Sequence, residues 1–323
     1  MKKYYILLLI VILLTGISLV GYAEAFPEKQ ITIVIQSSAG GNSDAKGRTM
    51  AAAIEPLLGV PVVAINKTGA AGAVGMSYVA ASEPDGYTIG IVPVELTMLE
   101  ALGYADIRPD QFDLLCLLGG RNRSTIVVNA KSPWNTVEEF FAYAKENPGV
   151  ITVGNSGIGS IWHIAALKLE KGMGIEFTHV PFTGAATMKV ALLGGHITAV
   201  TSSAAENASG VLSGDLRMLA VMADDRDPMF PDVPTLKELG YNIQTTSWSG
   251  FACPKGLPAE TKKILVDAFK KGYESEIYQN MSKTRGWTTG EAGWMGPEEF
   301  TKFAQADYED YSKLLPELNL GIK

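Results

Sequence analysis

The sequence contains little histidine and little cysteine, and both shortages limit its chemistry. Its 323 residues include three histidines, His163, His179 and His196, and two cysteines, Cys116 and Cys253. A zinc site would need nearly all of the histidines together with a carboxylate, and none of them forms a close pair, so we expect no catalytic metal. Two cysteines cannot supply a cysteine-rich metal site or a disulfide scaffold. We expect both to be buried free thiols in strand-like apolar segments, although export of the protein would permit a disulfide.

Basic residues are fewer than acidic ones. Lys and Arg number 27 against 34 Asp and Glu, which gives a formal net charge of -7, so the chain lacks the electrostatic character of a nucleic-acid binder. With 47% hydrophobic and 19% charged residues, it is too apolar for a disordered chain and too charged for a polytopic membrane protein. A length of 323 residues favours two domains.

One long apolar run is present, and it lies at the N-terminus. Two lysines precede the almost unbroken apolar segment 4–20, and Ala23-Glu24-Ala25 follows it in the small-x-small pattern that a signal peptidase cleaves. The alternative is a membrane anchor, for which this run is near the lower limit of length. We predict that residues 1–25 are a removed signal peptide and that the exported chain begins at Phe26.

After this run, β-branched strand segments alternate with helical segments, which is the order typical of a parallel sheet covered by helices. The pattern begins at Ile31 and starts again near Phe112. A segment rich in charge and proline, residues 224–234, indicates a linker or a loop beside a hinge, and amphipathic helices are predicted at 258–273 and 297–315. We expect two α/β domains, a discontinuous first domain of residues 26–108 and 226–323 and a second domain of residues 109–225.

Three loops rich in glycine and serine follow predicted strands and precede predicted helices: Ser37–Ser43, Asn155–Ser160 and Pro181–Ala185. Ligands of α/β sheets bind outside the carboxyl ends of the strands, where helix N-termini offer free N–H groups and a partial positive charge. Any one such loop is more simply explained as an ordinary turn. Three of them together favour an anion pocket, with hydroxyl groups as further donors.

Motifs that would indicate a cofactor or an enzyme are incomplete. The Asn155–Ser160 loop lacks the third glycine of the dinucleotide fingerprint, and neither a Gly-Lys-Ser/Thr phosphate loop nor a Gly-x-Ser-x-Gly elbow occurs, so we expect no cofactor. The spacing of Ser156 and His163 leaves an exported hydrolase as an alternative, although capping or packing is the simpler role for His163. Asp44 lies at a helix start, where the dipole stabilises a carboxylate, and holding a ligand amine or hydroxyl is its competing role.

Several short blocks, in this order and spacing, resemble the substrate-binding receptors of tripartite tricarboxylate transporters, often called Bug proteins. The resemblance covers nearly the whole mature chain. Each block is weak alone, whereas the ordered set is specific. The blocks are Ala39-Gly40-Gly41 with Asp44 and Arg48, Gly69-Ala70-Ala71-Gly72 with Gly75, Pro84-Asp85-Gly86-Tyr87-Thr88, Ser156–Ser160 with His163, His179–Gly184, Leu193-Gly194-Gly195, Leu219-Ala220-Val221, Pro231–Thr235 with Glu238 and Gly240, Trp248-Ser249-Gly250 and Pro254–Pro258.

The resemblance implies a periplasmic binding protein with the Venus-flytrap fold, in which two α/β domains close on a small organic carboxylate in a central cleft. A membrane permease with a large and a small subunit would receive this di- or tricarboxylate or related acid. Delivery to a sensor kinase is an alternative to the permease. The protein would be a monomer without enzymatic activity, metal, cofactor or nucleic-acid partner.

By the same resemblance, backbone N–H groups, hydroxyls and ordered waters of the three loops would hold the carboxylate. The loop argument from the residues themselves selects the same segments. Together they predict the ligand-binding residues Ser37, Ser38, Ala39, Gly40, Gly41, Asp44, Ser156, Gly157, Gly159, Ser160, His163, Thr183, Gly184 and Ala185.

Overall fold

The computed structural model describes residues 26–120 and 122–321. The predicted signal peptide and Arg121 therefore lie outside the described residues. None of the helices within these two ranges has the length and the apolar character that crossing a membrane requires.

Six strands form the sheet of a first lobe. Ile31–Ile35 (β1), whose residues are β-branched and nearly all buried, lies parallel to Val62–Asn66 (β2) on one side and to Thr88–Pro93 (β3) on the other. Three further strands are antiparallel to their neighbours: Phe112–Leu118 (β4), Ser249–Pro254 (β11) and Trp294–Met295 (β12). They continue the sheet beyond β3 in the order β3-β11-β4-β12.

A second sheet forms a second lobe. Thr152–Asn155 (β6) lies between the parallel strands Thr178–Pro181 (β7) and Ala199–Ser203 (β8). Asn122–Asn129 (β5) is antiparallel to β8 and also pairs with Leu216–Met222 (β9) and Thr246–Ser247 (β10). Each lobe thus has parallel strands whose carboxyl ends share one edge.

The described residues contain nine α-helices. Most lie where the periodicity predicts them; Glu276–Arg285 was not predicted as a helix. The first helix ends at Gly59, which takes the left-handed conformation (φ 73°) that glycine adopts without strain. The helices are Asn42–Leu58 (α1), Ala73–Ala80 (α2), Val137–Glu146 (α3), Ile161–Met173 (α4), Ala185–Leu193 (α5), Ala204–Leu212 (α6), Ala259–Glu274 (α7), Glu276–Arg285 (α8) and Pro297–Glu317 (α9).

The chain passes from one sheet to the other after β4 and returns after β10. The strand β4, which the sequence assigned to the second domain, pairs with β11 in the first sheet. Residues 224–234 do not lead back to the first sheet, because Val221 N donates to Pro234 O and Leu236 N donates to Val221 O, each at 2.9 Å, which holds the segment on β9. We therefore propose domain boundaries that follow the sheets, between Leu118 and Asn122 and at Trp248.

Cys116 and Cys253 are free and buried, as expected, on the neighbouring strands β4 and β11. Cys116 lies opposite Phe251 and Cys253 lies opposite Asp113, so the two thiols are not cross-strand partners. Burial raises the pKa of both thiols, which disfavours the reactive thiolate.

Candidate ligand-binding cleft

A cavity of about 510 Å³ lies between the two lobes, a size typical of small-molecule sites. Its walls come from the segments that follow β1, β2 and β3 in the first lobe and β6 and β7 in the second, so it opens at the carboxyl ends of the parallel strands. Asn122 and Ser247 to Ser249 also line it. The two places where the chain changes sheets therefore form its back.

Three helices open into this cavity without a side chain that caps the first turn. α1, α2 and α5 begin after Gly41, Gly72 and Gly184, and all three glycines line the cavity. Glycine has no side-chain oxygen that could accept the first N–H groups of a helix. At α2 the preceding turn accepts them instead, because Ala73 N donates to Ala70 O and Val74 N donates to Gly69 O. At α1 and α5 the first N–H groups remain available to a ligand oxygen. By contrast, α3, α4, α6 and α8 are capped by the hydroxyls of Thr136, Ser160, Ser203 and Ser275.

Unpaired polar atoms lie beside these helix ends. Among the described residues, Ser37 Oγ, Ser38 Oγ and Gln36 Oε1 are buried without a hydrogen-bond partner, and the three residues line the cavity. A buried polar atom without a partner costs about 1–3 kcal/mol. A ligand that supplies the missing partners would recover this cost.

The structure brings eight of the fourteen predicted residues to the cavity surface. Those that line it are Ser37, Ser38, Gly41, Ser156, Gly157, Thr183, Gly184 and Ala185. The six predicted residues outside the lining are Ala39, Gly40, Asp44, Gly159, Ser160 and His163. Ligand contact by any of the fourteen stays a prediction, and the position of the second group points to support of the loops.

Asp44 holds the first loop from inside the first lobe. Its buried carboxylate accepts hydrogen bonds from Gly40 N at 2.9 Å, Arg48 Nε at 3.0 Å and Asn66 Nδ2 at 2.9 Å. Asn66 Nδ2 also donates to Ser37 O at 2.8 Å. The carboxylate therefore fixes the course of the loop through its backbone, which is a positioning role.

Ser160 and His163 support the second loop in the same way. Ser160 Oγ accepts from His163 N at 3.3 Å and caps α4, while His163 Nδ1 accepts from Gly159 N at 3.1 Å. Burial and, to a smaller extent, the neighbouring ring of His179, 4.7 Å away, lower the pKa of His163 to about 4. His163 is thus neutral at pH 7 with Nδ1 already engaged, an arrangement that does not present a general base to Ser156.

Two glutamates line the cavity, and the sequence reasoning missed both. Glu95 follows β3, and its Oε1 accepts from Ile161 N of the second lobe at 3.0 Å. Glu206 lies in the first turn of α6, and its Oε2 accepts from Ser203 N at 3.1 Å. Burial raises the pKa of Glu95, and burial together with the charge of Glu95 raises the pKa of Glu206 to about 7.

A buried lysine lies near the part of the cavity wall that Glu95 and Glu206 form. Lys46 is 1% exposed, and its Nζ donates to Leu118 O at 2.7 Å and to Ser249 Oγ at 3.0 Å. Burial lowers the pKa of Lys46 to about 7, while the charge of Glu206 acts in the opposite direction. Lys46 is not among the residues that line the cavity, so its charge acts on a ligand only across the residues that do.

The signals for the missed residues differ. Glu95 lies two residues beyond β3, so the rule that ligands bind at strand ends would have selected it. The loop Gly69–Gly72 lines the cavity before α2; it is a block of the resemblance but is not among the predicted ligand-binding loops. Glu206 forms a capping box with Ser203, and the sequence pattern alone explains it as a cap.

Comparisons with known proteins agree with this architecture. The family described as "Tripartite tricarboxylate transporter family receptor" matches residues 47–320. A protein of Cupriavidus necator, described as the UPF0065 protein in the gbd 5′ region, is 34% identical over 301 residues, which cover 93% of this chain and 90% of that protein.

Two solved structures have the same fold. The crystal structure of a TctC solute-binding protein from Polaromonas, without ligand, is 35% identical and matches with a TM-score of 0.68 over 90% of this chain and 99% of that one. The periplasmic binding protein BugD is 28% identical and matches with a TM-score of 0.84 over 92% and 100%. The predicted fold of two α/β domains around a cleft is confirmed. The chain belongs to the tripartite tricarboxylate transporter receptor family of solute-binding proteins.

Proposed function

We propose that the protein is the extracytoplasmic receptor of a tripartite tricarboxylate-type transporter. It captures a small organic carboxylate in the cleft and delivers it to a membrane permease with a large and a small subunit. The observation that carries this proposal is the convergence of two helix N-termini with free N–H groups, of α1 in the first lobe and of α5 in the second, on one cavity. Carboxylate oxygens accept hydrogen bonds from such free N–H groups, and the positive ends of the helix dipoles favour negative charge.

Contacts between the lobes support capture by closure of the cleft. Tyr104 OH donates to Ile158 O at 2.9 Å, and Ile161 N donates to Glu95 Oε1 at 3.0 Å. Each contact joins a residue of the first lobe to a residue of the second beside the cavity. These bonds require the lobes to be close together, and a ligand held from both sides would stabilise them.

Ligand binding is expected to raise the melting temperature and to compact the molecule. A ligand at one hundred times its Kd stabilises the folded state by about 2.7 kcal/mol, which corresponds to about 5 °C for a protein of this size. Thermal melts with a pool of di- and tricarboxylates, followed by small-angle scattering with the acid that produces the shift, measure both effects. The diamides of the same acids serve as neutral controls. Absence of a shift with any carboxylate, amino acid or aromatic acid would contradict the proposed function.

We also propose that the protein is exported to the periplasm and cleaved near Ala25. The basic start, the apolar run and Ala23-Glu24-Ala25 support this, and Phe26 packs against Tyr87 of the first lobe with ring centroids 5.1 Å apart. The mature chain is expected to begin at Phe26. An intact mass of the exported protein that still includes residues 1–25 would contradict cleavage at this site.

A further inference from the structure

The charge of the cavity wall does not suit a multiply charged anion. Among the described residues that line the cavity, Glu95 and Glu206 are the only charged ones, and both are acidic. Each is bonded to a backbone amide, of Ile161 and Ser203 respectively, rather than to a basic side chain. A second or third carboxylate of a ligand would therefore meet acidic groups and no basic side chain of the described lining.

A third acceptor lies at the neighbouring strand end. Gln36 follows β1, which pairs with β3, and Glu95 follows β3. Gln36 is 6% exposed, and its Oε1 is buried without a partner, while its Nε2 donates to Ser43 Oγ at 3.2 Å. An unpaired acceptor calls for a donor, so this atom indicates an N–H or O–H group on the ligand.

The nearby lysines do not neutralise the two glutamates directly. Lys46 Nζ is bonded to Leu118 O and Ser249 Oγ, and Lys189 Nζ is bonded to Ser209 Oγ at 3.3 Å. Both lysines act on Glu206 only from a distance. Among the described residues, no basic side chain is bonded to Glu95 or Glu206, whereas the helix N-termini supply donors for a carboxylate.

We propose that the cleft binds a zwitterion, with its carboxylate at the helix N-termini and its protonated amine at Glu95, Glu206 and Gln36 Oε1. This inference rests on the proposed function and specifies its substrate class as an amino acid or another amino-carboxylate. An ammonium group has three donors and no acceptor, which matches a wall of acceptors. Charge-assisted hydrogen bonds in a closed cleft are about twice as strong as neutral ones.

Matched pairs of acids that differ only in the amine test the proposal. Titration calorimetry would compare aspartate with succinate, glutamate with glutarate, alanine with propionate and 4-aminobutyrate with butyrate. The best amino acid is expected to bind at least about 30-fold more tightly than its deaminated partner, because the deaminated acid offers no donor to the acceptors of this wall. Equal or tighter binding of the deaminated acid overturns the proposal that the ligand is a zwitterion. Binding of neither member of any pair counts instead against the proposed function itself.

Two variants locate the amine. Glu95→Gln and Glu206→Gln keep the shape and the oxygen that accepts from Ile161 N or Ser203 N, so the fold is expected to remain stable. Each is expected to weaken binding of the amino acid at least about tenfold and to leave the deaminated acid unchanged or bound more tightly. Glu83→Gln is the matched control at an exposed position of the first lobe. Equal losses for both acids, or no loss for the amino acid, would contradict the assignment.

Proton exchange gives an independent measurement. With a pKa of about 7, Glu206 carries about half a proton at pH 7, and a bound ammonium lowers that pKa, so binding is expected to release protons. Titration calorimetry in buffers of different ionisation enthalpy measures the number of protons released on binding. Lys46 also has a pKa of about 7, so the same titration on Glu206→Gln separates the two groups. Loss of the release in that variant supports the proposal, and proton uptake by the native protein contradicts it.

Discussion

Replacement of Gly41 by aspartate is expected to raise the Kd for the carboxylate by more than about a hundredfold while the fold survives. Gly41 is the N-cap of α1 and lines the cavity. An aspartate at this position would accept the first-turn N–H groups that are otherwise available to the ligand, and its charge would repel the ligand carboxylate. Calorimetric titration of the variant measures the loss.

Stability should hardly change in this variant. Gly41 has φ −74° and ψ 179°, which any residue adopts, and a side chain would first meet Ser38 O at 3.5 Å, an ordinary contact. Aspartate is also a preferred N-cap, so the free energy of unfolding is expected to change by only a few tenths of a kcal/mol. Thermal melts check this. The backbone requirement for glycine lies instead at Gly40, where φ is +82°.

Two control variants separate the effect of capping the helix from the effect of the added charge. Gly41→Ser supplies a cap without a charge, so it is expected to weaken binding less than Gly41→Asp does. Gly296 is the uncapped N-cap of α9, has φ −75° and does not line the cavity, so Gly296→Asp is expected to leave the affinity unchanged. Near-native affinity of Gly41→Asp would mean that the first loop is not the carboxylate site.

Gly184→Val is expected to hold the cleft open and to weaken binding about 30-fold, which corresponds to about 2 kcal/mol of overpacking. Gly184 of the second lobe packs against Ser38 of the first, and a methyl group on Gly184 would overlap Ser38 Oγ. The backbone of Gly184 is extended, with φ 161° and ψ 171°, so the substitution does not strain the loop itself. Small-angle scattering with saturating ligand should show a larger molecule than the native complex.

Gly296→Val is the matched control, because it places the same side chain at an uncapped glycine N-cap outside the cavity. It is expected to change neither the affinity nor the scattering. If Gly184→Val closes on its ligand as compactly as the native protein does, the contact between Gly184 and Ser38 does not determine closure. A large loss of melting temperature in Gly184→Val alone would instead assign that contact to stability of the fold.

The two variants therefore address different steps of capture. Gly41→Asp removes donors from one lobe and should leave closure of the empty cleft unaffected. Gly184→Val leaves the helix N-termini intact and should act on closure. Scattering without ligand separates them, since only Gly184→Val is expected to change the unliganded molecule.

Local sequence was sufficient to predict where the cleft loops lie. Runs rich in β-branched residues, such as Ile31–Ile35 and residues 197–201, indicate buried strands, and glycine, serine and threonine between a strand and a helix indicate a strand-end turn. These signals depend on neighbours along the chain. For that reason the sequence selects Ser37, Ser156 and Gly184, which line the cavity, without any knowledge of the sheet order.

Roles within the loops needed the tertiary structure. Three predicted residues have polar side chains that could bind a ligand, yet each accepts a hydrogen bond from a backbone N–H group of the loops or helix start. Asp44 accepts from Gly40 N, Ser160 from His163 N, and His163 from Gly159 N. Whether a polar side chain at a helix start faces the loop backbone or the cavity depends on how that helix is rotated against its sheet. Periodicity does not encode that rotation at a single polar position.

The sequence by itself thus determined the family, the alternation of strands and helices, and the three glycine-rich loops. The tertiary structure alone decided that β4 belongs to the first sheet, that residues 224–234 stay with the second, and that Glu95 and Glu206 share a cavity. The physical reason is the separation along the chain over which each kind of interaction acts. Turn and helix preferences act over a few residues, whereas the meeting of Glu95 with Glu206 depends on strand pairing and lobe closure between segments more than a hundred residues apart.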